Sequence, residues 1–180
     1  MNAPTRSPWG TVEHCTKVAE GIWSVSTSGH GGIKLDRERN AKVPKGARRA
    51  GGWYEEDCEW CLVALVFPEA FKEAERSWAD ATAKNWFPEE YEAITGRKVG
   101  LDESRELRRR AVIESTRDRF VTAAAYGSWH AQVPEGMVGV YARKLATGET
   151  ACFLVPEGEY KYDGNGFVVD ESRHARMGAL

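Results

Sequence analysis

The sequence lacks a long apolar run, and this excludes one class of protein at the outset. Its main apolar run is Leu62–Phe67, which Pro68 ends. A membrane-spanning helix needs about 20 predominantly apolar residues, so we expect no membrane segment and no membrane partner. Residues 1–8 contain two prolines and none of the apolar stretch that a secretory signal requires. We therefore expect a cytoplasmic protein.

The chain also lacks a strong net charge and a large number of cysteines. Its 180 residues include 25 lysines and arginines against 27 aspartates and glutamates, a formal net charge of -2. This balance excludes a polycation that coats nucleic acid, although it leaves room for a local basic patch. The four cysteines are expected to be reduced thiols inside a cell. They are Cys15, Cys58, Cys61 and Cys152.

The residues that are present indicate a globular α+β protein. Hydrophobic residues make up 42% of the chain and charged residues 29%, which is enough apolar material for a core. Strand patterns lie towards both ends of the chain, and helical spacing dominates the middle. We predict a flexible leader over residues 1–8 and a single α+β domain over residues 9–180. In that domain, an antiparallel sheet from the N- and C-terminal strands packs against the central helices.

Several segments carry this fold prediction. Residues 18–28 are predicted to form a strand, and residues 137–141 and 150–155 a hairpin. Residues 55–67 fit either a strand or a helix, and we favour a helix. A longer helix is predicted to begin at Pro68, with Phe71, Ala74, Trp78 and Ala81 as its buried stripe. Further helices are predicted between Asp36 and Pro44, between Pro88 and Gly96, and from Asp102 to about Arg119.

The first polar cluster follows the predicted N-terminal strand. Its glycines would let the backbone approach a ligand and direct N–H groups towards it. His30 could act as a general acid or base, or bind a metal. The lysine and hydroxyl residue of a phosphate P-loop are absent, and a plain tight turn is the alternative interpretation. The candidate ligand or partner contacts in this cluster are Ser26, Thr27, Ser28, Gly29, Gly31 and Gly32.

The second polar cluster places four carboxylates within five positions, next to a thiol. At a helix start, the dipole would lower the pKa of Cys58 whereas the carboxylates would raise it, so an activated thiolate does not follow. Cys58 and Cys61 have C-x-x-C spacing, but no second close pair completes a zinc site. We assign no metal ligands and no cofactor. The candidate catalytic residues are His30, Cys58, Glu56 and Asp57, and the further candidate contacts are Trp53, Glu55 and Trp129.

The two clusters are predicted to meet in space and form one site. Neighbouring carboxylates repel one another, and a cationic or hydrogen-donating partner such as the His30 imidazolium would relieve that repulsion.

The segment Lys34–Arg49 contains seven basic residues and two acidic ones. Such a segment could hold the phosphate backbone of a nucleic acid. We favour the other interpretation, in which these charges offset the neighbouring acidic cluster.

The two polar motifs resemble those of a family of uncharacterised proteins encoded by phages, plasmids and other mobile elements. In that family the position of Cys61 is often alanine, which argues against a functional pair of thiols. The resemblance implies a genomic setting, with the host-cell cytoplasm as the location, and it implies no particular activity. The similar segments are residues 21–32, 53–60, 67–68, 126–129, 133–140 and 153–156.

Three functions remain open at this point, and we favour the first. It is a small accessory protein of a mobile element that binds a host protein or a nucleic-acid-processing partner, for instance to block a host defence. The second is a hydrolase or transferase in which His30 is the base, Cys58 the nucleophile, and Glu56 or Asp57 the orienting group. The third is a metal-dependent site that combines His30 with the carboxylates.

Overall fold

A computed structural model of the chain describes residues 3–178, which divide into two compact units near residue 108. The first unit contains a short hairpin and a four-stranded antiparallel sheet in which each strand pairs with its neighbours along the chain. The hairpin strands are β1 (Arg6–Ser7) and β2 (Gly10–Thr11), so part of the predicted leader is a paired strand. The sheet strands are β3 (His14–Ala19), β4 (Ile22–Ser26), β5 (Gly31–Leu35) and β6 (Trp53–Glu55).

Helices pack against this sheet and bury its apolar face. Ile22 and Leu35 of the sheet form one core cluster with Leu62 and Val63, and all four side chains are almost completely buried. The predicted packing of N-terminal strands against central helices is confirmed. The helices are α1 (Arg37–Lys42), α2 (Trp60–Val66), α3 (Glu73–Trp86) and α4 (Pro88–Thr95), and α5 (Arg105–Thr116) spans the division between the units.

Helix α1 begins where the sequence predicts, because the Asp36 carboxylate accepts a hydrogen bond from the Arg39 backbone N–H at 2.7 Å. Helix α4 begins at Pro88 and is followed by Gly96, also as predicted. Helix α5 begins at Arg105 rather than at Asp102.

Two helices in the middle of the chain begin later than predicted. Residues 53–55 form strand β6, and α2 begins only at Trp60. Pro68 begins a single 3-10 turn, and α3 starts at Glu73. The buried face of α3 consists of Ala79 and Ala83, while Trp78, predicted to be core, is 68% exposed. Small alanine side chains face the core of this unit, and the large indole is left outside.

The second unit contains another four-stranded antiparallel sheet. The predicted hairpin is confirmed, and its core is built around Phe120, Val140, Phe153 and Val155. Residues 167–169 contribute only an isolated bridge between Val168 and Val121. The strands are β7 (Phe120–Tyr126), β8 (Met137–Lys144), β9 (Thr150–Pro156) and β10 (Ala175–Met177), in the order β10-β9-β8-β7.

The α+β class with antiparallel pairing is confirmed. The N- and C-terminal strands form two separate sheets where one sheet was expected, because in each sheet the strands pair mainly with chain neighbours. That residues 9–180 form one domain stays a prediction. Over residues 3–178, none of the helices combines the length and the apolar character needed to cross a bilayer.

Candidate functional site

Strand pairing brings His30 to the acidic cluster. Strands β4 and β5 are joined by the four-residue loop 27–30, and the β5–β6 register places Gly32 opposite Glu55. His30 therefore precedes β5 at the same edge where β6 ends. Its Nδ1 atom lies 3.4 Å from Oε1 of Glu55 and 3.7 Å from Oε1 of Glu56. The predicted meeting of the two clusters is confirmed.

Thr27 closes the loop that carries His30. Its hydroxyl donates to the His30 carbonyl at 2.7 Å and accepts from the backbone N–H of His30 at 3.1 Å. The Gly29 N–H points to the same hydroxyl at 3.4 Å. The loop is thus closed on itself, since two of its N–H groups are used by its own threonine. Ser28 and Gly29 lie exposed at the tip, and Ser26 pairs with Gly31 in the sheet.

Gly31 makes room for the Glu56 carboxylate beside His30. A Cβ atom at position 31 would collide with Oε2 of Glu56. The Glu56 N–H donates to the Gly31 carbonyl at 3.2 Å, which fixes the backbone of Glu56 against β5. The absence of a side chain at position 31 therefore allows the second carboxylate to approach the imidazole.

The Glu55 carboxylate is held in place by the turn that follows it. Both of its oxygens lie 2.9 Å from the Asp57 backbone N–H, and Oε2 lies 3.3 Å from that of Cys58. Its side chain is only 21% exposed, against 50% for His30. Of the three groups, Glu55 is the most rigidly positioned. Asp57 is exposed.

Two tryptophans border the cluster, and one of them was not among the candidate residues. Trp9, at the turn of the β1–β2 hairpin, stacks on His30 with 6.5 Å between ring centroids. It also meets Trp53 edge-on at 5.7 Å, and Lys34 lies 4.8 Å above the Trp53 ring. The only sequence signal for Trp9 was a large aromatic beside a glycine in an otherwise polar segment.

Glu56 also lines a cleft of about 400 Å³. Apolar and aromatic side chains dominate its wall, with Trp60 and Phe71 packed together at 6.3 Å. The exposed Trp78 indole and the carboxylates of Glu56 and Glu75 complete it. We call this feature the cleft, and its lining residues are Val18, Ser24, Val25, Ser26, Gly32, Ile33, Glu56, Trp60, Ala70, Phe71, Glu75 and Trp78.

The surroundings of Cys58 do not activate its thiol. Burial raises the pKa of Cys58, and the carboxylates of Glu55, Glu59 and Asp57 raise it further, against a smaller opposing effect of Arg49. The Cys58 Sγ atom lies 4.0 Å from Oε2 of Glu55, a carboxylate whose negative charge disfavours the thiolate. Burial also raises the pKa of Cys61, which is fully buried.

Much of the basic segment 34–49 is engaged within the first unit. Arg49 binds Glu59 at 2.6 Å and Glu90 at 3.3 Å. Arg48 donates to the carbonyls of Ala41 and Val43 at the end of α1. Both guanidinium groups are therefore bound to acceptors of the same unit. The ion pairs of Arg49 agree with the interpretation that the segment offsets nearby acids.

Trp129 belongs to the second unit. It is 76% exposed and packs beside Tyr126 and His130, each with 6.0 Å between ring centroids. In that unit it is an exposed aromatic side chain.

The chain was compared with models of known protein families. A model of a domain of unknown function, DUF7007, matches residues 2–117. The chain therefore belongs to the DUF7007 family. The matched residues contain both polar motifs, the cleft and the strands that bring His30 to Glu55. No curated protein and no solved structure matches the chain.

Proposed function

We propose that the protein acts by contact, holding a segment of a protein partner in the cleft. The single observation that carries the proposal is Trp78, which is 68% exposed in the wall of a cleft lined mainly by apolar and aromatic side chains. Exposed indoles next to well-packed apolar pockets are typical anchors of protein interfaces.

The charge of the cleft defines the partner segment. Glu56 and Glu75 are its two carboxylates, and no lysine or arginine is among its lining residues. A segment that places an apolar side chain between Trp60 and Trp78, with lysine or arginine beside it, would match both the shape and the charge.

The resemblance to proteins of mobile elements supports a partner in the host cell. A small contact protein of a phage or plasmid that antagonises a host defence complex fits this role. The Cys–His enzyme is the weaker candidate, because Cys58 contacts Glu55 and its pKa is raised.

The first prediction is that a displayed library of random 12-residue peptides, selected against the full chain, enriches an apolar residue flanked by lysine or arginine. The enriched peptides should bind Trp78→Ala at least about tenfold more weakly in fluorescence polarisation. Glu75→Gln should weaken binding less, and mainly at low salt. Glutamine at position 75 can keep the capping bond that Glu75 makes to the Lys72 N–H at 2.7 Å.

Matched controls lie outside the cleft. Leu101→Ala removes another exposed apolar side chain of the first unit, and Glu73→Gln removes a neighbouring charge on α3. Both should bind the peptides as the unaltered chain does. Equal binding by Trp78→Ala and Leu101→Ala would contradict the proposal.

A further inference from the structure

His30, Glu55 and Glu56 bring one imidazole nitrogen and two carboxylate oxygens within 4.8 Å of one another. We propose that these three side chains bind a divalent transition-metal ion at the edge of the cleft. The sequence alone assigned no metal ligands, although it left open a metal-dependent site that combines His30 with the carboxylates. The geometry of the strands favours that alternative.

The distances suit a shared ion. Ligand atoms about 2.1 Å from a zinc ion, at tetrahedral angles, are roughly 3.4 Å apart. The Nδ1 atom of His30 is 3.4 Å from Glu55 and 3.7 Å from Glu56. Small rotations of the Glu56 side chain, which is 48% exposed, would bring its carboxylate oxygen to the same distance from the His30 Nδ1 atom.

The charge points the same way. Within residues 3–178, the ion pairs found for Glu55 and Glu56 both involve His30, while the nearby Arg49 is occupied by Glu59 and Glu90. Two carboxylates and a neutral imidazole carry a charge of -2, which a divalent ion neutralises.

The supporting residues hold the ligands for that role. The turn at Asp57 and Cys58 orients Glu55, Thr27 fixes the backbone of His30, and Gly31 leaves the space that Glu56 occupies. Such orienting contacts are what metal ligands require. An imidazole with carboxylates suits first-row ions such as Zn²⁺, Co²⁺ and Mn²⁺. The three ligands leave coordination positions open beside the cleft.

Equilibrium dialysis of chelator-treated full-length protein with Zn²⁺ tests this second prediction. We expect one ion per chain, with affinity reduced at least about tenfold in His30→Ala and in Glu55→Gln. Glu73→Gln and His14→Gln are the matched controls, since each alters an exposed acid or histidine outside the cluster, and both should bind normally. Retention of full affinity in His30→Ala and Glu55→Gln would overturn the proposal, as would absence of binding by the unaltered chain.

Co²⁺ provides a second, spectroscopic readout of the ligands on the unaltered protein. We expect the NMR signals of the His30 and Trp9 rings to be broadened first, without the near-ultraviolet absorption of a cobalt–thiolate bond. A thiolate band that disappears in Cys58→Ser would place the ion at the cysteines and overturn the assignment. Peptide binding in the cleft, measured with a chelator present, is independent of this result, so the two proposals can fail separately.

Discussion

At the scale of single residues, the environment of Cys58 bears directly on the choice between contact and catalysis. A nucleophilic cysteine needs a lowered pKa and an adjacent base. Cys58 instead has burial and three carboxylates that favour its protonated form. Since the thiolate is the reactive species, a raised pKa means a smaller thiolate fraction at neutral pH and a slower reaction with electrophiles.

The third prediction follows from this environment. Cys58 should react slowly with iodoacetamide at pH 7, with a rate that rises steeply only at alkaline pH. Glu55→Gln removes the carboxylate with the largest effect on Cys58, so it should lower the pKa and speed the reaction at a fixed pH. Labelling can be followed by peptide mass spectrometry.

Glu56→Gln is the control for this experiment, because Glu56 is not among the main causes of the raised pKa of Cys58. It should leave the labelling rate unchanged. Rapid labelling at pH 7 that is lost in His30→Ala would support the Cys–His enzyme instead.

At the scale of secondary-structure elements, the pairing of β5 with β6 builds the candidate site, and Gly32 is the residue that permits it. A Cβ atom at position 32 would collide with the Tyr54 carbonyl and with the ring of Trp9. Neither the carbonyl nor the ring can move aside freely. The carbonyl belongs to the paired strand, and Trp9 packs against Trp53 and His30.

The fourth prediction is that Gly32→Ala lowers the free energy of unfolding by about 1–3 kcal/mol, the usual cost of overpacking. Gly29→Ala is the matched control, because a Cβ atom there would meet nothing within 4 Å. Its effect should stay within about 0.5 kcal/mol. Urea unfolding followed by tryptophan fluorescence measures both variants, and equal stability of the two would refute the close approach.

The sequence predicted local elements well and non-local ones poorly. Helix α1 and the β8–β9 hairpin depend on a cap and a short turn that lie within the segment itself. Strand β6 was not predicted, because its partner β5 ends 18 residues earlier and no pattern within residues 53–55 records that pairing. Trp78 was placed in the core because it lies at helical spacing with Phe71, Ala74 and Ala81, whereas the helix buries Ala79 and Ala83.

The candidate site was predictable in part for the same reasons. The meeting of His30 with the acidic cluster followed from charge alone, and the distances confirm it. The cleft was not predictable, since its wall combines β4, β5, α2 and α3. Trp9 was missed as a neighbour of His30 because the contact depends on how the β1–β2 hairpin folds back.

At the scale of the whole molecule, the candidate features concentrate in the first unit. The DUF7007 match, the cleft and the proposed metal ligands all fall within residues 2–117. The second unit has its own core and its own exposed aromatic, Trp129. With a net charge of -2, the chain has no overall attraction for polyanions. We expect the basic segment Lys34–Arg49 to bind duplex nucleic acid weakly and to lose that binding at moderate salt.

The most direct test of contact through the cleft is the fifth prediction, an NMR titration of the tryptophan indole N–H signals with an enriched peptide. Each signal is assigned by a tryptophan-to-phenylalanine change. The account predicts saturable shifts at Trp60 and Trp78, which line the cleft, and unchanged signals at Trp86 and Trp129, which do not. Saturable shifts at Trp129 or Trp86, with Trp60 and Trp78 unmoved, would contradict it.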